Sequence, residues 1–260
     1  RIRTVGNEIW LSGSECARYG YDESRWIYRL NEREKSLSPV RKEEYGMRNT
    51  VGSDCRYGDG FDWQVRNGSL YHLTTRDGSS HLYRLDPDGS STPVITKEGS
   101  IDFFILDNNR DTALLVALYD NRLQEIYEAD LANGEVTRVS HFNDVVLEGK
   151  YVAPYHALDF WSDGILCNGW VMLPKDYDPQ MTYPAVLDVH GGARCAYGPV
   201  FYHEMQVWAS MGYFVFFCNP IGSDGRDNEF MHIRGDYGGR DYNSVMDFTD
   251  VVLDAYPQID

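Results

Sequence analysis

The segment YPAVLDVHGGARCAYG, residues 183–198, carries the residues of this chain that are best suited to chemistry. Its apolar run ends in His190, Gly191 and Gly192. Paired glycines let a backbone adopt positive φ or approach another group closely, so their N–H groups can face a ligand. Such N–H groups stabilise the negatively charged oxygen that forms during acyl transfer. Taken alone, however, the three residues favour a simpler structure, a tight turn beside a buried histidine.

The sequence lacks the motifs of metal, dinucleotide and phosphate-loop sites. The 7 histidines include neither an HExxH motif nor a pair four residues apart, so we expect no metal site. The GDYGGRD segment, residues 235–241, lacks the spacing of a dinucleotide-binding loop, and no phosphate-binding loop occurs. Asp236 with Arg234 and Arg240 favours a solvated ion-pair network over contact with a substrate terminus. We therefore expect no cofactor of any kind.

The elements around His190 indicate a layered sheet. Apolar runs at 184–190 and 213–219 predict buried strands, and an Asp163-Gly164 pair predicts a hairpin before them. Helical spacing predicts two amphipathic helices, one with Met205, Trp208 and Ala209 on its apolar face and one with Val245, Phe248, Val252 and Ala255. Alternating strands and helices predict a parallel α/β sheet, in which ligands bind at the carboxyl ends of the strands.

The first 140 or so residues have a different pattern, short alternating strands separated by turns such as Asp77-Gly78 and Asn133-Gly134. The segments WIYRLN, HLYRLD and EIYEAD, at residues 26–31, 81–86 and 125–130, resemble one another. A period of about 40–50 residues with several strands in each unit predicts β-propeller blades. Three consecutive β-meanders in a sandwich remain the alternative.

Composition excludes several partners. The 260 residues carry a formal net charge of -16, which repels nucleic acids and anionic membranes. No apolar run reaches the roughly 18 residues of a membrane-spanning helix. The 5 cysteines are dispersed without a CxxC pair, which favours reduced thiols and a cytoplasmic location.

Four segments together resemble the prolyl oligopeptidase family of serine peptidases, in its acylaminoacyl-peptidase and dipeptidyl-peptidase branch. They are the His-Gly-Gly segment, NPIGSDGRDNEF at 219–230, IRGDYGGRDY at 233–242 and AYPQID at 255–260. Similar motifs occur in the same order in that family. Three positions depart from the family pattern: Ala193 replaces a proline, Ile221 an arginine and Tyr237 a tryptophan. The loss of the arginine puts the packing of its loop in doubt.

The resemblance implies a fold and a boundary. Residues 1–150 would form the C-terminal blades of a β-propeller, and residues 151–260 the first half of an α/β-hydrolase domain. The loop after a strand of that domain supplies backbone N–H groups to an oxyanion hole, a role that falls on Gly192 with Gly191. Only Ser80 and Ser91 have a glycine two residues before them, and neither completes a GxSxG motif. We therefore expect the Ser-His-Asp triad beyond residue 260, and the 260 residues alone to be inactive.

The resemblance also implies partners. They are short peptides or acyl-peptides as substrates, and the remainder of the same polypeptide; a homo-oligomer stays open. Two alternatives remain: an esterase of the same fold that acts on small esters, and a non-catalytic binding protein that uses the propeller surface. An intact Ser-His-Asp set elsewhere in the polypeptide would exclude the second alternative.

Overall fold

A computed structural model describes residues 1–58, 63–191 and 194–260. Its first part consists of antiparallel meanders, each built from four strands that follow one another in sequence. The first meander contains β1 (Ile2–Val5), β2 (Glu8–Gly13), β3 (Trp26–Asn31) and β4 (Ser36–Arg41). The second contains β5 (Trp63–Arg66), β6 (Ser69–Arg76), β7 (Ser79–Leu85) and β8 (Ser91–Ile95). The third contains β9 (Ser100–Leu106), β10 (Thr112–Leu118), β11 (Glu125–Asp130) and β12 (Val136–Arg138).

The three repeated segments occupy the same place in each meander. WIYRLN and EIYEAD coincide with β3 and β11, and HLYRLD covers most of β7, so each repeat marks the third strand of its meander. Each third strand pairs with the strand before it and the strand after it. The second and third meanders join at a single pairing, Ser80 with Ser100. This arrangement is that of consecutive propeller blades.

The predicted turns are confirmed. Asp77 and Gly78 connect β6 to β7 with φ of 45° and 83°, the left-handed values that an Asp-Gly hairpin turn requires. Asp163 and Gly164 do the same with φ of 48° and 73° between the short strands β14 (Phe160–Ser162) and β15 (Ile165–Cys167).

A mixed sheet follows the short helix α1 (Asp144–Leu147). Its strands are β13 (Tyr155–Ala157), β16 (Gly169–Met172), β17 (Ala185–Asp188) and β18 (Phe214–Cys218), in the order β13-β16-β18-β17. The parallel strands predicted at 184–190 and 213–219 are confirmed as β17 and β18, and the rest of the sheet, where a hairpin was expected, is antiparallel: β16 pairs antiparallel with both β13 and β18. Antiparallel strands such as β13 and β16 can be connected without a crossover helix, so the first helix of this part follows β17.

Helices cover both faces of this sheet. They are α2 (His203–Ser210), α3 (Asn228–Met231) and α4 (Arg240–Ala255). Phe248 of α4 is fully buried, with its ring centroid 4.9 Å from that of Phe160. Met205 and Ala209 of α2 pack in a second cluster with Trp170. The predicted apolar faces are confirmed, except that Ala255 is exposed at the end of α4.

Backbone contacts join the meanders to the part that contains the mixed sheet. Gly52 N donates to Ala196 O at 2.8 Å, and Ala196 N donates to Thr50 O at 3.1 Å. Gly198 approaches the β6–β7 turn so closely that a Cβ there would lie 1.8 Å from Gly78 O. The meanders end at Arg138 and the mixed sheet begins at Tyr155, and the domain boundary near residue 150 stays a prediction.

Within the described ranges, none of the helices is both long enough and apolar enough to span a bilayer. All five cysteines are free thiols, with Cys167 and Cys218 buried.

Candidate active site

Two loops meet at one edge of the mixed sheet. Since β17 and β18 are parallel, the loop that begins at Val189 and the loop that begins at Asn219 leave the sheet on the same side. Asn219 ties them together: its Oδ1 accepts from Tyr197 N at 2.7 Å, and its Nδ2 donates to Tyr197 O at 2.9 Å. This edge is where open α/β sheets bind their ligands.

Gly191 lies at this edge and is exposed. A Cβ placed on Gly191 would meet no heavy atom within 4 Å among the described residues, so its backbone borders open space. Gly192 and Ala193 lie outside the described residues. The assignment of the Gly191 and Gly192 N–H groups to an oxyanion hole therefore stays a prediction.

His190 is held in one tautomer by the loop after β18. Its Nε2 lies 3.0 Å from Ser223 Oγ, and the Ser223 hydroxyl donates to Pro220 O at 2.7 Å. Because that hydroxyl has one proton, Nε2 must carry the proton of the imidazole and donate to Ser223. Burial lowers the pKa of His190 to about 4, so the ring is neutral at pH 7. His190 thus acts as a structural donor rather than as a base.

The ring of Tyr197 packs edge-on against His190, with centroids 5.0 Å apart. Its hydroxyl donates to Asp188 Oδ1 at 2.6 Å. Burial and the neighbouring Asp188 carboxylate raise the pKa of Tyr197, so the phenol stays protonated and continues to donate. The end of β17 is therefore linked to the loop that follows it.

The loop after β18 packs well without the family's arginine. Ile221 is fully buried in the apolar cluster that contains Phe216, Phe230 and Phe248. The loop continues with Asp224, whose N donates to Cys195 O at 2.9 Å. An isoleucine suits this position because its side chain enters a dry core, where an unpaired guanidinium would be costly.

A cavity of about 840 Å³ adjoins the His190 loop, between residues 46–56 and the Arg194–Cys195 segment. Four arginines line it: Arg25, Arg48, Arg56 and Arg194. Local sequence patterns do not reveal this cluster, because Arg48 and Arg194 are 146 residues apart and no local spacing relates them. Cys195 also lines the cavity, and burial raises the pKa of its thiol, so this cysteine is not a ready nucleophile.

Arg234 and Arg240 do not line this cavity. Arg240 Nε contacts Asp163 Oδ2 at 3.0 Å on the exposed surface, and Asp236 Oδ2 accepts from Arg240 N at 3.3 Å. The ion pair of Arg240 is thus with Asp163, and Asp236 contacts Arg240 only through the backbone N–H, so the predicted network of Asp236 with Arg234 and Arg240 is not seen among the described residues. Across the described stretches, histidines, cysteines and carboxylates form no group of three or more that could hold a metal.

Comparison with known proteins agrees with this arrangement. Residues 199–260 match the model of the prolyl oligopeptidase family. The chain is 32% identical over 199 residues to the uncharacterized peptidase YuxL of Bacillus subtilis (strain 168), covering 76% of this chain and 30% of that protein. It is 26% identical over 208 residues to dipeptidyl-peptidase 5 of Trichophyton equinum, covering 76% of this chain and 28% of the relative. The chain thus spans less than a third of the length of these relatives.

Solved structures show the same fold. Pyrococcus horikoshii acylaminoacyl peptidase superposes over 98% of this chain and 38% of its own, with a TM-score of 0.77 and 23% identity. An acylaminoacyl peptidase in complex with Z-Gly-Gly-Phe-chloromethyl ketone gives a TM-score of 0.79 and 24% identity, with the same coverage. The predicted fold, propeller blades followed by part of an α/β-hydrolase domain, is confirmed. The predicted resemblance to the prolyl oligopeptidase family is also confirmed.

Proposed function

From the match to the prolyl oligopeptidase family, we propose that the protein containing this chain is a serine peptidase that hydrolyses short peptides or acyl-peptides. A serine outside these 260 residues attacks the scissile carbonyl, with a histidine as its base and an aspartate that orients the histidine. The backbone N–H groups of Gly191 and Gly192 donate to the oxyanion that this attack creates. The N-terminal blades limit the size of the substrate.

One observation carries this proposal: Gly191 borders open space at the carboxyl end of β17, and the preceding His190 is fixed. His190 is held by Ser223, and the Asn219 side chain binds the backbone of Tyr197. Such preorganisation is what an oxyanion hole requires, because donors that are already in place need not reorganise as charge develops. Removal of one such donor typically costs about 2.7–4 kcal/mol of transition-state stabilisation.

The test uses the full-length protein and a fluorophosphonate probe. We expect a single adduct by intact mass, and hydrolysis of peptide p-nitroanilides that the probe abolishes. A protein that forms no adduct and cleaves no peptide would contradict the proposal and favour a non-catalytic binding protein. Faster turnover of small esters than of matched peptide amides would favour the esterase.

The remaining assignments belong to the same proposal. The 260 residues expressed alone should form no adduct, since they lack a GxSxG serine. We propose a cytoplasmic protein, a location that the dispersed free thiols support. Its proposed partners are the peptide substrate and the remainder of the polypeptide.

A further inference from the structure

Among the described residues, the arginines that line the cavity beside the His190 loop outnumber the carboxylates that face them. Arg25, Arg48 and Arg194 lie close enough together for the charges of Arg25 and Arg194 to act on Arg48. Among the described residues, Asp224 is the carboxylate that faces this group, with its Oδ2 3.5 Å from Arg194 Nε. Three guanidinium groups thus share one buried carboxylate, in a chain whose net charge is -16.

Arg194 is already committed to structural contacts. Its Nη1 donates to the carbonyl oxygens of Asp22 and Glu23 at 3.4 and 3.3 Å, and its Nη2 donates to Ser24 Oγ at 3.1 Å. Arg56, on another wall of the cavity, contacts the buried Asp102 with Nε 3.6 Å from Oδ1. These two arginines therefore have partners within the protein.

Among the described residues, no carboxylate forms an ion pair with Arg48. Its guanidinium is partly buried, and its one hydrogen bond within the described residues is a long one, from Nη2 to Arg194 O at 3.5 Å. Burial and the positive charges of Arg194 and Arg25 lower the pKa of Arg48 against the opposing charge of Asp224, whose carboxylate is already paired with Arg194. Arg25, exposed at the same cavity, forms no ion pair with any described residue. A partly buried, unpaired guanidinium is costly, and an entering anion would relieve that cost.

We propose that Arg48, with Arg25 beside it, binds a carboxylate of the peptide substrate in this cavity. This inference rests on the proposed function, and it names the class of substrate: peptides that carry a carboxylate near the scissile bond. A guanidinium presents a planar fork of N–H donors that matches the two oxygens of a carboxylate. Arg194 follows Gly191 closely in sequence and connects the cavity wall to the loop that faces the scissile carbonyl. A substrate held at that loop would therefore place a neighbouring carboxylate within reach of the cluster.

The test compares matched peptides on the full-length protein. The substrates are N-acetyl-Ala-Ala-Ala as the free acid and as the C-terminal amide, and N-acetyl-Ala-Glu-Ala amide. We expect kcat/KM for at least one carboxylate peptide to exceed that for the neutral amide by about tenfold or more, because charged hydrogen bonds discriminate by that much. If only the free acid is cleaved faster than the neutral amide, the site binds the C-terminal carboxylate. If the free acid and the glutamyl peptide are cleaved faster to the same extent, the site accepts either a terminal or a side-chain carboxylate.

Variants of Arg48 identify the group responsible. Arg48→Gln should lower kcat/KM for the preferred carboxylate peptide by about tenfold to a hundredfold and change that for the neutral amide by less than about twofold. Arg48→Lys should recover part of the loss, since it keeps the charge but not the fork. Arg33→Gln, an equal change of charge in the exposed turn between β3 and β4, is the matched control and should leave every ratio unchanged.

Fluorophosphonate labelling separates this inference from the proposed function. If the wild-type protein is labelled but cleaves the acids and the amide equally, the inference is overturned and the proposed function stands. The inference is likewise overturned, and the proposed function stands, if the Arg48→Gln variant is labelled normally and its kcat/KM falls by the same factor for all three peptides. A wild-type protein that is neither labelled nor active on any peptide would overturn the proposed function, and this inference with it.

Discussion

His190 and Tyr197 show how burial sets protonation around the candidate loop. Both rings are kept neutral, and both act as hydrogen-bond donors: His190 to Ser223, and Tyr197 to Asp188. These neutral donors hold the loop in place beside the Asp188 carboxylate. The positive charges lie in the adjoining cavity, where Arg48 lacks a carboxylate partner among the described residues.

Asp102 gives a prediction on pH. Burial raises the pKa of its carboxyl to about 6, against the opposing hydrogen bonds from Ser100 and Gln124. An unfolded aspartate has a pKa of about 3.9, so the folded protein binds this proton more tightly than the unfolded chain. The free energy of unfolding should therefore fall as pH rises from about 4 to about 6, by up to about 3 kcal/mol, and the loss should stop above that range.

The measurement is urea unfolding of the full-length protein at intervals from pH 4 to pH 7. Asp102→Asn should remove this fall in stability, because the amide does not titrate. Asp254→Asn, an exposed carboxyl on α4, is the control and should keep the pH dependence of the wild type. An Asp102→Asn protein with an unchanged slope between pH 4 and pH 6 would argue against the role of Asp102.

Among the elements, the β6–β7 turn closely approaches the loop before α2. Gly198 permits it, since a Cβ at this position would lie 1.8 Å from Gly78 O and 2.9 Å from Gly78 C. Both atoms belong to the backbone, so no side chain can move aside to make room. The close fit between a meander and the loop of the mixed sheet thus depends on the absence of one methyl group.

Gly198→Ala should therefore lower the free energy of unfolding by about 1–3 kcal/mol, the usual cost of overpacking. Gly13→Ala is the matched control, because its new Cβ would lie 3.9 Å from Tyr28 Cε2, an ordinary contact. Thermal unfolding of both full-length variants gives the comparison. Equal shifts in the two midpoints would mean that the approach to Gly78 is not restrictive.

At the scale of the whole molecule, the meanders and the mixed-sheet part are joined by backbone pairing rather than by charge alone. Ala196 pairs with the segment around Val51, and Ser24 N donates to Asn228 Oδ1 at 2.7 Å. Ser24 is fully buried at this contact, so its amide is kept from water. Contacts of this kind are lost only when the two parts separate.

Hydrogen–deuterium exchange of the full-length protein measures that separation. The amides of Ser24 and Ala196 should exchange as slowly as those of Val215 and Phe216 in β18, because each needs a large opening to reach solvent. Amides of the exposed 163–164 turn should exchange at least about a hundredfold faster. If Ser24 and Ala196 exchange as fast as that turn, the two parts separate readily and the cavity between them is not a fixed site.

Local sequence patterns determined most of the elements. Asp77-Gly78 and Asp163-Gly164 predicted their turns because few residue pairs adopt two positive φ values. The repeated segments predicted the blades because each fills the same position in its meander. Phe248 and its neighbours predicted the buried face of α4 because helical periodicity is a local property. The His-Gly-Gly motif predicted a loop at the end of β17, because a glycine pair is also a local signal.

Only the tertiary structure decided what surrounds that loop. The pairing direction of β13 and β16 depends on which strands become neighbours, which apolar runs alone do not specify. Ile221 departs from the family pattern, and only packing shows that it fills a core. Arg48 and Arg194 belong to no common motif. They lie at the same cavity because of how a meander packs against the mixed-sheet part. Spacing along the chain reports local conformation, whereas the charge of a cavity is set by residues that folding brings together.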